Sequence, residues 1–217
     1  MSLLLVQTSA LQDGAVAEPV IEKRLIPEGA PWRIPERKMV PEYITIHSTA
    51  NEAAGADAAA HARLLSRPEG FSSSSKLSRT GYRSWHFTVD DRCSIQHLPT
   101  DEQADHADFT GPGNQTSIGI EICVNKDGNL EHTIERTVDL VAFLMKQHRI
   151  DLGHVVPHHY WAQPPHGYHK ACPAIFMDGS QPGPRWQEFL ARVADRFRDQ
   201  ERKNGGSASA LRQAGGF

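Results

Sequence analysis

Tyr43-Ile44-Thr45-Ile46-His47 alternates in the manner of a strand with one face on a core, and the run ends on an imidazole. A second run, Ser117 to Val124, sets Ile118, Ile120 and Ile122 on one face and therefore turns Gly119 and Glu121 to the other. Trp85-His86-Phe87-Thr88-Val89 and Ser94-Ile95-Gln96-His97-Leu98 flank the polar Asp90-Asp91-Arg92 and read as a hairpin. Between and after these strands lie helical segments. Ala56 to Ser66 is Ala/Leu-rich with Asp57 near its start, and Thr133 is placed to cap a helix carrying Ile134, Val138, Val141, Leu144 and Met145 that ends before Gly153. A short strand, Val155-Val156, delivers His158. A last helix starts at Pro184 with Trp186, Phe189, Leu190, Val193 and Phe197 on one stripe. Elements in this order predict an α/β fold: a mixed central β-sheet flanked by helices, in a single domain.

The ends read differently from the middle. Residues 1–20 are small, polar and acidic without period, and 201–217 run into Gly, Ser and Ala, so both are expected to be flexible segments around a domain of 21–200. Glu69 to Gly81, with four consecutive serines, is expected to be a mobile loop near the functional groove. With 23 basic and 26 acidic residues the formal charge is −3, and no Lys/Arg run exceeds two, which argues against a nucleic-acid partner. No apolar stretch approaches the roughly 20 residues of a membrane span. Leu3-Leu4-Leu5-Val6 lacks a basic segment before it, so a secretory signal is not supported. Cys93, Cys123 and Cys172 are odd in number and widely spaced, unlike a disulfide framework, although a Cys93–Cys123 bridge stays open.

Five of the twelve histidines fall between His154 and His169, and Cys172 follows shortly after. Zinc accepts imidazole nitrogen and thiolate sulfur together, and a catalytic site uses three protein ligands so that water takes the fourth position. His158 is the first candidate because it follows the short strand directly; His159 would face the other way, and His166 and His169 are the alternatives. Cys172 supplies the sulfur and His47 the third ligand. Glu121 is a candidate functional residue, with Gly119 leaving room beside it, and Lys170 stands two residues before the Cys. Trp85 and His86 are candidate substrate contacts, with core packing as the other reading. Cys172 before Pro173 is also compatible with a helix start, where a lowered thiol pKa would make it a nucleophile.

Leu25-Ile26-Pro27, Tyr43 to Asn51, Trp85-His86-Phe87, Ser117-Ile118-Gly119-Ile120-Glu121 and Lys170-Ala171-Cys172-Pro173 together resemble the zinc-dependent N-acetylmuramoyl-L-alanine amidases, the group of phage and bacillar cell-wall lysins and peptidoglycan recognition proteins. The likeness spans about 21–176, with the blocks in the same order. It implies one zinc ion per chain on His47, His158 and Cys172, Glu121 as base and Lys170 as polarising cation. His106 and Asn114 would be substrate-groove positions, peptidoglycan the partner, and a monomer acting at the cell wall, in the periplasm or outside the cell the expected form. The chain departs from many relatives in carrying Trp85 where they have Tyr, and in a longer His158–Cys172 segment. No wall-anchoring repeat is recognisable after residue 200, so targeting would come from the groove or a partner. The competing functions are a peptidoglycan-binding module without catalysis and a cysteine-dependent hydrolase using Cys172.

Overall fold

The structure, a computed structural model, describes residues 18–67 and 83–214, with side chains through residue 202. The expected Ser-rich loop at 69–81 and nearly all of the N-terminal segment lie outside the described residues. Six strands form the main sheet: β1 (Ile21–Lys23), β2 (Tyr43–Ser48), β3 (Phe87–Val89), β4 (Ser94–Gln96), β5 (Ser117–Ile122) and β6 (Val155–Pro157), in the spatial order β1-β4-β3-β5-β2-β6. Only β3 and β4 run antiparallel, as the hairpin reading expects; β1 on β4, β3 on β5, β5 on β2 and β2 on β6 are parallel. The α/β mixed sheet expected from the sequence is the fold observed.

The two faces of this sheet have different fates. Ile44, Ile46, Phe87, Val89, Ile118, Ile120 and Ile122 are at most 1 % exposed and pack beneath α3 (Leu130–His148) and α4 (Pro184–Ala214). Phe189 stacks between Phe176 and Trp186, with centroids 5.0 and 5.4 Å away, which closes the far end of that layer. The opposite face carries Thr45, His47, Thr88, Gly119 and Glu121. It is covered by α1 (Ala58–Leu65), by α2 (Pro112–Thr116) and by the loops around 97–111 and 158–173. Its polar side chains are accordingly paired. Trp161 Nε1 donates to Thr45 Oγ1 at 2.9 Å, Thr45 donates to Ser117 Oγ at 2.8 Å, and Trp85 Nε1 donates to Thr88 Oγ1 at 2.7 Å.

Asp57 caps α1 by accepting from Ala60 N at 2.7 Å. The start of α3 corrects the sequence reading. Asn129, not Thr133, is its N-cap, accepting from His132 N at 3.1 Å, and Thr133 lies one turn inside with its hydroxyl turned back to Asn129 O. Asn is at least as good a cap as Thr, and Glu131 in the first turn complements the helix dipole, so the helix gains a turn. It stops at Arg149, which adopts the left-handed conformation at φ 56°. At the C-terminus α4 continues through the Gly/Ser/Ala stretch to Ala214, beyond the end near residue 200 that composition suggests. Under the hairpin side, Arg33 and Glu102 form a bidentate pair at 2.9 and 3.1 Å with both side chains at most 6 % exposed. All three cysteines are free thiols, which closes the question of a Cys93–Cys123 bridge.

Candidate functional site

Parallel pairing in register puts His47 of β2 directly beside Glu121 of β5, and Thr88 of β3 on Glu121's other side. Paired residues share a face, so the imidazole and the carboxylate project together at the carboxyl ends of the strands. His47 is the penultimate residue of an interior strand, and its ring stands on the polar face, not at the sheet's lateral edge. β6 leads into a single 3-10 turn, His158–Tyr160, that drops the His158 ring onto His47 with centroids 4.4 Å apart. The segment returning at Cys172 completes a group of three: the ligand atoms of His47, His158 and Cys172 all lie within 4.8 Å of one another. Ala174 N donates to Ser48 Oγ at 3.2 Å and ties that segment to the end of β2.

The alternative histidines are turned away. His159 Nδ1 donates to Lys170 O at 3.0 Å and its backbone N–H to Cys172 O at 2.9 Å, so it fastens the Lys170–Cys172 segment from behind. His169 is exposed and donates to His159 O, and His166 is exposed and outside the cleft lining. Among the described residues, no other set of three His, Cys, Asp or Glu side chains could share a metal ion.

Around this group opens a cleft of ≈ 510 Å³, lined by His47, Trp85, His106, Asn114, Glu121, His158, Lys170 and Cys172 among others. Of the expected substrate contacts, His86 is the exception and is corrected. It is fully buried outside the cleft, donating from Nε2 to Glu102 O and accepting the Gly119 N–H at Nδ1, both at 2.9 Å. Its ring is a strut under β5, with both nitrogens used. Asn114 lines the cleft, but it is 3 % exposed and its amide oxygen and one N–H are committed within its own loop. Trp85 is 4 % exposed and serves the cleft wall and a small apolar cluster at once.

Sequence reasoning missed Arg83, Phe109 and His61, which also line the cleft. Phe109 sits at φ 64°, an unusual left-handed position for an aromatic residue that the structure alone reveals. No pattern in the chain marks Arg83.

Burial dominates the electrostatics. It pushes Glu121 up to about 7, against the pull of Arg83 and Lys170, and one Glu121 oxygen has no hydrogen-bond partner among the described residues. Burial holds His47 well below its ordinary value and lowers His158 to about 3, so both imidazoles are neutral and can offer lone pairs. The Cys172 thiol is pushed up to about 12, mainly by burial, and only a three-residue 3-10 turn follows it, so a helix-activated thiolate has no basis here. Lys170 is lowered by burial and by Arg83.

The mixed sheet, covered on both faces, thus carries a His, His, Cys group that could hold a metal ion in one cleft with the Glu121 carboxyl and Lys170. The sequence from 37 to 175 matches the family model described as N-acetylmuramoyl-L-alanine amidase, and the chain belongs to that family. It is 44 % identical over 169 residues to the N-acetylmuramoyl-L-alanine amidase XlyA of Bacillus subtilis, covering 77 % of this chain and 49 % of the relative. It is 42 % identical over 176 residues to CwlH of the same organism, covering 80 % of this chain and 61 % of the relative. The chain thus spans about half to three-fifths of these relatives' length. The solved catalytic domain of XlyA superimposes with a TM-score of 0.67, covering 80 % of this chain and 99 % of that one. The PlyG catalytic domain, 27 % identical, covers 82 % of this chain and 95 % of its own with a TM-score of 0.64.

Proposed function

We propose that this chain hydrolyses the amide joining the lactyl group of N-acetylmuramic acid to L-alanine in peptidoglycan, using one zinc ion held by His47, His158 and Cys172. The observation that carries the reading is the Glu121 carboxyl, poised near neutrality with an unpaired oxygen, 4.0 Å from His47 and in one cleft with the three donors. The donor set suits zinc. Bonds of about 2.0–2.3 Å in a tetrahedron place ligands roughly 3.3–3.6 Å apart, within reach of a trio whose upper bound is 4.8 Å. When bound, zinc lowers the pKa of water toward about 7 and supplies Lewis acidity.

The rest is done by side chains. Glu121 accepts the proton of the attacking water, and its raised pKa lets it hold that proton and return it to the leaving amine. Lys170 lines the same cleft, and its ammonium is the group to stabilise the charge that develops on the carbonyl oxygen. Trp85 and Phe109 line the cleft and offer apolar surface to the substrate. Products are a glycan strand with intact muramic acid and a stem peptide with a new N-terminal alanine, formed outside the cytoplasm where the wall lies.

Purified peptidoglycan incubated with the protein, with and without a chelator, tests this by mass spectrometry of the soluble products. Stem peptides should appear, vanish with chelator and return on zinc addition. Release that survives chelation but is abolished by thiol alkylation would replace the reading with a cysteine hydrolase, and binding without release would replace it with a non-catalytic module.

A further inference from the structure

His106 lines the cleft as expected, and both of its ring nitrogens are engaged on the polar face of the sheet. His106 Nε2 lies 3.2 Å from Ser117 O, and a carbonyl can only accept, so Nε2 carries the hydrogen. A neutral imidazole then presents Nδ1 as an acceptor, and His47 Nε2 lies 2.9 Å from it. His47 therefore donates from Nε2, which leaves its Nδ1 lone pair on the side of Glu121, 4.0 Å away. The next residue treats the second imidazole alike: His158 Nε2 lies 2.9 Å from Ala107 O, so it too donates and its lone pair is on Nδ1.

Both supports are held by one side chain. Asn114 Oδ1 accepts the backbone N–H of His106 at 3.0 Å and of Ala107 at 2.6 Å. Gly119 provides the seat: a Cβ there would come within 2.7–2.9 Å of three atoms of the His106 ring. Gly119 has no positive φ to explain it, so the missing side chain is space for this ring.

We infer that the His106-Ala107 pair, seated by Asn114 and Gly119, is a common outer support that holds both imidazole ligands in the Nε2–H tautomer, with their Nδ1 lone pairs free for a metal. His106 is thus a positioning residue that acts through His47. The inference rests on the zinc reading, because a tautomer is only useful here if the lone pairs bind a metal. Outer hydrogen bonds of this kind typically change metal affinity about 10–100-fold.

The test measures zinc affinity by competition with a chromophoric chelator for wild type, His106→Leu and His106→Gln, with folding monitored by circular dichroism. His106→Leu removes the acceptor and should weaken zinc about 10–100-fold, while His106→Gln, whose Oε1 can accept the same bond, should recover most of the loss. A long-range ¹H–¹⁵N correlation on the chelator-treated wild type needs no variant and should show His47 and His158 protonated at Nε2. Unchanged zinc affinity in folded His106→Leu, or Nδ1 protonation of His47 in wild type, would overturn the inference. A wild type that takes up no zinc would sink the zinc reading instead, and the tautomer spectrum would still decide the role of His106.

Discussion

Replacing Glu121 by Gln separates its chemistry from its cost to the fold. The carboxyl has 18 % of its side chain exposed, and its pKa is raised from 4.5 to about 7, chiefly by burial. Because the folded value lies above the unfolded one, folding favours the protonated acid. That contribution is full below about 4.5 and is lost as pH rises through about 7. At about 1.4 kcal/mol per tenfold change in proton affinity, the interval corresponds to roughly 3 kcal/mol by which ionised Glu121 destabilises the protein at pH 8. Gln has nearly the same shape and no charge. In urea titrations of chelator-treated protein, the variant should match wild type near pH 4.5 and exceed it by up to about 3 kcal/mol at pH 8. Its peptidoglycan hydrolysis should nonetheless fall by about 10²–10⁴-fold, because Gln cannot carry a proton from water to amine, while zinc uptake stays intact. Near wild-type turnover in the zinc-loaded variant would remove Glu121 from the mechanism, and a stability difference independent of pH would refute the buried-charge argument.

Three further sets of substitutions probe separate parts. Ala at His47, His158 or Cys172 should each lower zinc content and activity together, measured by metal analysis, whereas His166→Ala, on the exposed side, should keep both. Lys170→Met should retain zinc but lose about 10²–10³-fold in kcat, the usual scale for one donor to a developing oxyanion. Glu102→Ala strips a carboxylate from the buried Arg33 guanidinium, outside the cleft lining, and should destabilise the fold by about 3–5 kcal/mol in urea titration.

The strand patterns carried much of this architecture because period two is a local property: Ile118, Ile120 and Ile122 on one side oblige Glu121 to the other, whatever the strand pairs with. The hairpin, the helix from Pro184 and the approach of Val155-Val156 to His158 follow from equally local chemistry. The block order from Tyr43 to Pro173 pointed to the amidase family, which the match over 37–175 bears out. Local signals also misled. Thr133 looks like a cap because it precedes Ile134, but Asn129 competes one turn earlier and wins. Pattern alone gives His86 and His106 no different standing, since a histidine's two nitrogens take their meaning from what faces them. Only the tertiary structure supplied Glu102 O and Gly119 N–H for one ring, and Ser117 O and His47 for the other. It likewise decided that the polar face of the sheet is covered and not solvated. That covering removes water from Glu121, His47 and His158, shifts their proton affinities, and turns an ordinary alternating strand into the wall of a cleft. Parallel register between β2 and β5, a contact between residues more than seventy positions apart, then sets the imidazole beside the carboxylate, which no single stretch of the chain could specify.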